Sequence, residues 1–163
     1  MPANMHSFYL RNMYMKNALM DPGGITLDGV PIDLRKIKLP AYFISTAEDH
    51  IAPWKSTYFG ARRLSGPVRF VLGGSGHIAG IVNPPCANKY GYWTNDKFEE
   101  KPDAWQEKAE FHEGSWWTDW QAWIERQNGA ARVPARAPGK GKLRAIEDAP
   151  GSYVSMRLDA NQA

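Results

Sequence analysis

The chain has 163 residues, a net charge of +3 and an apolar fraction of 43%, enough for one domain with a true core. No apolar run approaches the roughly 20 residues that a bilayer span needs. The single cysteine, Cys86, excludes an internal disulfide framework and is expected in a reducing cytoplasm.

The first predicted element is a helix over residues 4–19, with Asn4 as N-cap and apolar groups at Met5, Phe8, Tyr9, Met13, Met15 and Leu19 at helical spacing. The opening MPANMHSFYL has none of the three parts of a secretory signal. Asp21-Pro22-Gly23-Gly24 is strong turn chemistry, and residues 25–34 read as two short strands around Asp28-Gly29. After a linker to Pro40, Ala41 to Thr46 is a short strand, apolar on both faces, as parallel strands covered on both sides are. Pro53 opens a helix that runs from Trp54 to Leu64, and Val68 to Leu72 is the next strand. Strand, helix and strand with short joints form a βαβ unit, so the class is α/β and the two strands are parallel. Residues 78–101 read as irregular and Asp103 to His112 as a helix. Ser115 caps a last helix, Trp116 to Gln127, with Trp116, Trp120, Trp123 and Ile124 as its apolar stripe and Asn128-Gly129 as its stop. Residues 129–163 are an extended basic tail rich in Pro and Gly; Arg132, Arg136, Lys140, Lys142 and Arg144 precede its first acid. No nucleic-acid recognition motif accompanies that run, and zinc spacings, P-loops and dinucleotide fingerprints are absent from the sequence.

Asp49 and His77 each follow the carboxyl end of one of the paired strands, which is where open α/β sheets place their sites. A histidine takes a proton from a nucleophile and returns it, while a carboxylate orients the imidazole or itself takes a proton. In α/β-hydrolases the chain order is nucleophile, acid, histidine. That order puts the nucleophile before Asp49, in a Gly-x-Ser/Cys-x-Gly elbow, and residues 1–48 contain no such elbow. Ser75 lies in Gly-Gly-Ser-Gly-His rather than in an elbow, and Cys86 follows two prolines; neither fits the role.

These motifs carry a resemblance to a known family. FYLRNMY (8–14), GVPIDL (29–34), EDHIAPW (48–54), FVLGGSGHIAG (70–80), NPP (83–85), YWTND (92–96), GSWWTDW (114–120) and APGSYV (149–154) together resemble the C-terminal part of class I polyhydroxyalkanoate (poly-3-hydroxybutyrate) synthases. The resemblance implies the C-terminal part of an α/β-hydrolase fold. Residues 1–24 would end a cap region, residues 25–128 would form the C-terminal half of the catalytic domain, with a βαβ unit and Trp-rich C-terminal helices, and 129–163 would be the tail. It also implies polymerisation of (R)-3-hydroxyacyl-CoA into polyester with release of CoA, by a Cys-His-Asp triad. Asp49 and His77 match the acid and the histidine. The nucleophilic cysteine matches no residue here, so the chain is expected to be a fragment, inactive alone, that associates with the missing N-terminal part. His50 and Trp54 are expected in supporting roles. No cofactor or metal is implied. The complete enzyme would be a cytoplasmic homodimer in contact with the polymer granule. Two other readings stay open: a non-catalytic module that binds granules or a synthase through its Trp-rich face, and a fragment of a generic α/β-hydrolase esterase.

Overall fold

A computed structural model describes residues 1–127, 129 and 132–157. The chain divides into two units, residues 1–130 and 131–163.

The first unit is built on a four-stranded mixed sheet in the order β3 (Ala41–Thr46), β4 (Val68–Gly73), β5 (Tyr92–Thr94), β6 (Glu110–His112). β3 and β4 are parallel, in a register that sets Tyr42 beside Arg69 and Thr46 beside Gly73. The helix α2 (Trp54–Ala61) connects them. Side-chain alternation along β4 divides the core. On one face Phe70 and Leu72 pack with Trp54, Tyr58, Ala61 and Trp105. On the other, Val71 packs with Tyr92 and Trp116, flanked by Tyr42, Ile44, Ile81 and Trp117. Both faces are therefore covered, which is why these strands carry apolar residues without a polar side.

Two expectations are corrected. Residues 78–101 are not all irregular: β5 (Tyr92–Thr94) pairs antiparallel with β4. Residues 103–112 do not form one helix. α3 (Pro102–Glu107) ends early, and β6 (Glu110–His112) pairs antiparallel with β5. The cause is cross-strand aromatic pairing, which outweighs helix periodicity. Phe111 packs on Trp93 with ring centroids 5.0 Å apart, His112 stacks on Tyr92 at 4.9 Å, and His112 Nε2 bonds Thr94 Oγ1 at 2.8 Å.

The amino-terminal helix also differs from its expected form. α1 (Ala3–Tyr9) starts after Pro2 with no side-chain cap, and it widens into a π-helical stretch, Leu10–Met15. Asn17, in the left-handed region at φ 48°, then breaks the helix. None of the residues in α1 or the π-helical stretch is buried, so no packing holds the full run in α geometry. Between this region and β3, β1 (Thr26–Leu27) and β2 (Val30–Pro31) form an antiparallel hairpin. Its turn residues, Asp28 and Gly29, both have positive φ, as a tight hairpin turn requires.

The last helix of this unit, α4 (Trp117–Gln127), has no buried residue of its own. Its expected stop includes Asn128, which lies outside the described residues. A polar staple fixes it to the sheet. Arg69 donates from Nε (2.8 Å) and Nη2 (2.5 Å) to the two carboxylate oxygens of Asp119, and Tyr42 O–H donates to Oδ2 at 2.9 Å. Burial works against ionisation of Asp119, but these donors prevail and hold its carboxyl below the usual range. Burial, then Asp119, pushes the Tyr42 phenol up.

In the second unit, Ser152 Oγ donates to Glu147 Oε1 at 3.0 Å, and a 3₁₀ turn covers Tyr153–Ser155. No helix among the described residues is long and apolar enough to cross a membrane.

The staple yields a stability prediction. Asp119→Ala removes the two-point partner of a guanidinium that is only 21% exposed and leaves it the exposed Asp96 carboxylate at 3.0 Å; it should cost about 2 kcal/mol in urea unfolding. Asp119→Asn, which can still accept from Tyr42, should cost less. Equal and negligible losses would show that the staple does not hold α4.

Candidate active site

The parallel register brings the carboxyl ends of β3 and β4 to one edge, and the two following loops continue the pairing. Ala47 N–H donates to Gly73 O at 2.9 Å, and Glu48 N–H donates to Ser75 O at 3.0 Å. Ser75 takes the left-handed conformation, φ 67°, which turns the second loop toward the first. Two glycines let this second loop pack closely on itself, on β3 and on the segment around Tyr90. A Cβ on Gly74 would lie 2.6 Å from Tyr90 O, and one on Gly80 would lie 2.3 Å from Gly74 O and 2.5 Å from Thr46 Cγ2.

Asp49 and His77 meet at this edge. His77 Nδ1 and Asp49 Oδ2 are 2.8 Å apart. The other carboxylate oxygen, Oδ1, accepts the backbone N–H groups of Ile51 and Ala52, each at 2.9 Å. The carboxylate is thus held at both oxygens, and its side chain is only 7% exposed, whereas the imidazole is 45% exposed. The Ala52 N–H is the largest influence on the Asp49 carboxyl. Together with the His77 imidazole it outweighs the opposing effect of burial and lowers the pKa to about 2. Against this ionised partner, Nδ1 of His77 carries the proton in the neutral ring, and Nε2 is left as the basic nitrogen.

The other residues singled out in the sequence lie differently. His50 is exposed on the loop after Asp49, and among the described residues its side chain makes no hydrogen bond to the pair. Trp54 is a core residue: its ring lies edge-on to Tyr58 and also packs on Phe70 and Trp105. Cys86 is exposed. Among the described residues no cysteine or serine bonds His77, and no three His, Cys, Asp or Glu side chains are grouped to hold a metal ion.

Ser115 accepts a helix-start N–H as its expected capping role requires, but the side-chain donors of 115–117 escaped the sequence reading, which took the tryptophans as packing groups. Trp116 Nε1 donates to Gly80 O at 3.0 Å, and Trp117 Nε1 donates to Ile81 O at 2.9 Å. Ser115 Oγ donates to Asn83 O and accepts the Trp117 N–H at 3.1 Å. The available signal was the adjacency of Ser-Trp-Trp, which puts three side-chain donors on consecutive residues.

The depressed pKa of Asp49 fixes a pH dependence. A lowered folded-state value gives stability that is fully present above the ordinary value of 3.8 and is lost as pH falls through about 2. Asp49→Asn should therefore be less stable than the parent near neutrality, with the gap closing between about pH 4 and pH 2. Carboxyl NMR should place the Asp49 midpoint near 2; a midpoint near 4 would refute the bonded geometry.

Comparison with known proteins identifies relatives by sequence. No protein-family model matches the chain. It is 46% identical over 157 residues to the poly(3-hydroxyalkanoate) polymerase subunit PhaC of Cupriavidus necator, an alignment that covers 96% of this chain and 27% of that protein. The subunit of the same name from Rhizobium etli is 52% identical, again over 96% of this chain but 24% of the relative. Polymerase 2 of Ectopseudomonas oleovorans is 39% identical, with 28% of its length matched. The chain thus spans about a quarter of the length of the curated relatives it matches. Over 96% of its length, the chain is homologous to a part of poly(3-hydroxyalkanoate) polymerases.

Proposed function

We propose that this chain supplies the acid and the base of a polyester synthase of the α/β-hydrolase fold, acting on (R)-3-hydroxyacyl-CoA such as 3-hydroxybutyryl-CoA. The observation that carries the reading is the 2.8 Å His77–Asp49 bond at the shared edge of two parallel strands, in a chain 39–52% identical to named polymerases. The nucleophile is a cysteine contributed by the part of the polymerase that precedes this segment. His77 Nε2 takes the thiol proton, and the thiolate attacks the acyl carbonyl of the CoA thioester. The carbon–sulfur bond to CoA breaks, and CoA leaves with the proton that His77 returns. The 3-hydroxyl of an acyl group then loses its proton to His77 and attacks the enzyme-bound acyl thioester. An ester bond forms, a cysteine thiol is released, and the polymer is one unit longer. The thioester is already activated, so no cofactor is required.

The environment of Asp49 favours one of its two conceivable roles. A carboxylate with a pKa of about 2 and acceptor bonds at both oxygens is a poor base for a hydroxyl. Orientation of His77 and stabilisation of its charged form suit it better. In the complete protein this chemistry would run in the cytoplasm, in a homodimer, at the granule surface where the polymer accumulates.

Complementation tests the reading. Co-expressed with the preceding, cysteine-bearing segment of a curated relative, the chain should release CoA from 3-hydroxybutyryl-CoA. His77→Gln and Asp49→Asn should each lower that rate by about 10³-fold, whereas Cys86→Ala should leave it unchanged. CoA release by the chain alone, abolished by Cys86→Ala, would overturn the assignment of the nucleophile to another segment.

A further inference from the structure

We infer that Ser115, Trp116 and Trp117 are positioning residues for His77, an inference that rests on reading His77 as the base. The three donate to Asn83, Gly80 and Ile81 carbonyls in turn, so the loop after His77 is gripped at three points within four residues. The grip reaches His77 through a short backbone path. Gly80 N–H donates to Gly76 O at 3.0 Å, and Val82 N–H to Ile78 O at 2.8 Å. Gly76 and Ile78 are the two chain neighbours of His77, so a shift at Gly80 or Val82 moves both sides of the imidazole's attachment. The inner side of the loop has no slack: the position a Cβ of Gly80 would take is closed by Gly74 O, Thr46 Cγ2 and Gly76 O. The loop is thus pressed between the sheet edge and two indole N–H groups.

The donors are themselves fixed. Trp116 is 9% exposed, stacked on Tyr42 with centroids 6.2 Å apart and edge-on to Trp117 at 6.3 Å. Two residues beyond Trp117, Asp119 is held by Arg69 and Tyr42. A rigid indole with one donor, seated in a core, places that donor with little loss of rotamer freedom. None of the three residues bonds to Asp49 or His77 directly, so their effect is on the placement of the base.

Phenylalanine at 116 or 117 removes the N–H and keeps an aromatic ring. In the complemented assembly, Trp116→Phe and Trp117→Phe should each lower kcat for CoA release by about 10²-fold, the scale of an ångström-sized misplacement, with KM within about twofold. Ser115→Ala should act likewise and Ser115→Thr should restore the rate. Trp123→Phe, which loses only an edge contact with Tyr42, should leave kcat unchanged. In the chain itself, the NMR signal of the Nδ1 proton that His77 shares with Asp49 should broaden or move upfield in the two Phe variants. If all three loss variants lower thermal stability but keep kcat and that proton signal, the residues are structural only and the inference fails. If the unsubstituted assembly releases no CoA, the polymerase reading fails instead, and the proton signal still decides the positioning role. Should the Phe variants not fold, the Ser115→Ala and Ser115→Thr pair decides it.

Discussion

The parallel pairing of β3 with β4 is the constraint from which the rest follows. In a parallel pair both strands finish at the same edge, so the residues that come next in sequence are delivered to one place. The register extends past the strands themselves, through the Ala47–Gly73 and Glu48–Ser75 backbone bonds. That extension fixes the distance between two loops which would otherwise be free to part. Asp49 then needs only a tight turn of its own, closed by the Ile51 and Ala52 N–H groups, to face His77.

A buried parallel pair has to be covered on both faces, and here the covering elements do more than pack. α2 and α3 bring Tyr58 and Trp105 against Phe70 and Leu72. The opposite face is closed by Trp116 and its neighbours, and the residues that close it also bond the carbonyls of the loop that carries His77. Tyr42 takes part in both tasks, stacking on Trp116 and donating to Asp119. Packing of the second face and placement of the loop are therefore coupled through a few aromatic side chains.

How much of this was legible in the sequence depended on whether the signal was local. The βαβ unit, the Asp28-Gly29 hairpin and the acid–histidine pair were readable, because turn residues, short apolar runs and chain order are local properties. β5 and β6 were not. Tyr92–Thr94 and Glu110–His112 are three residues each, too short for a period of two to stand out, and their stability comes from partners on the other strand. The amino-terminal helix was misjudged for the converse reason. Its periodicity is real, but none of its residues is buried, and periodicity without a partner does not impose regular α geometry. The Trp-Trp grip was hidden because sequence shows the apolar bulk of an indole and not where its N–H points.

An aspartate is held at each end of the same two strands, and the difference in partner separates their roles. Asp119, with Arg69 and Tyr42 at the strand starts, and Asp49, with His77 beyond the strand ends, are both held by several donors, and both carboxyls are lowered. A guanidinium keeps its proton across the whole range in which proteins function, so the Arg69–Asp119 pair can only bind. An imidazole exchanges its proton in that range, and the His77 ring is about twice as exposed as the Arg69 side chain, 45% against 21%. One end of the pair of strands is therefore fixed as a staple. The other is tethered by its carboxylate yet open at the ring nitrogen opposite the tether. Exchanging the two cations would abolish the distinction, since arginine beside Asp49 would give a second staple with no group able to move a proton.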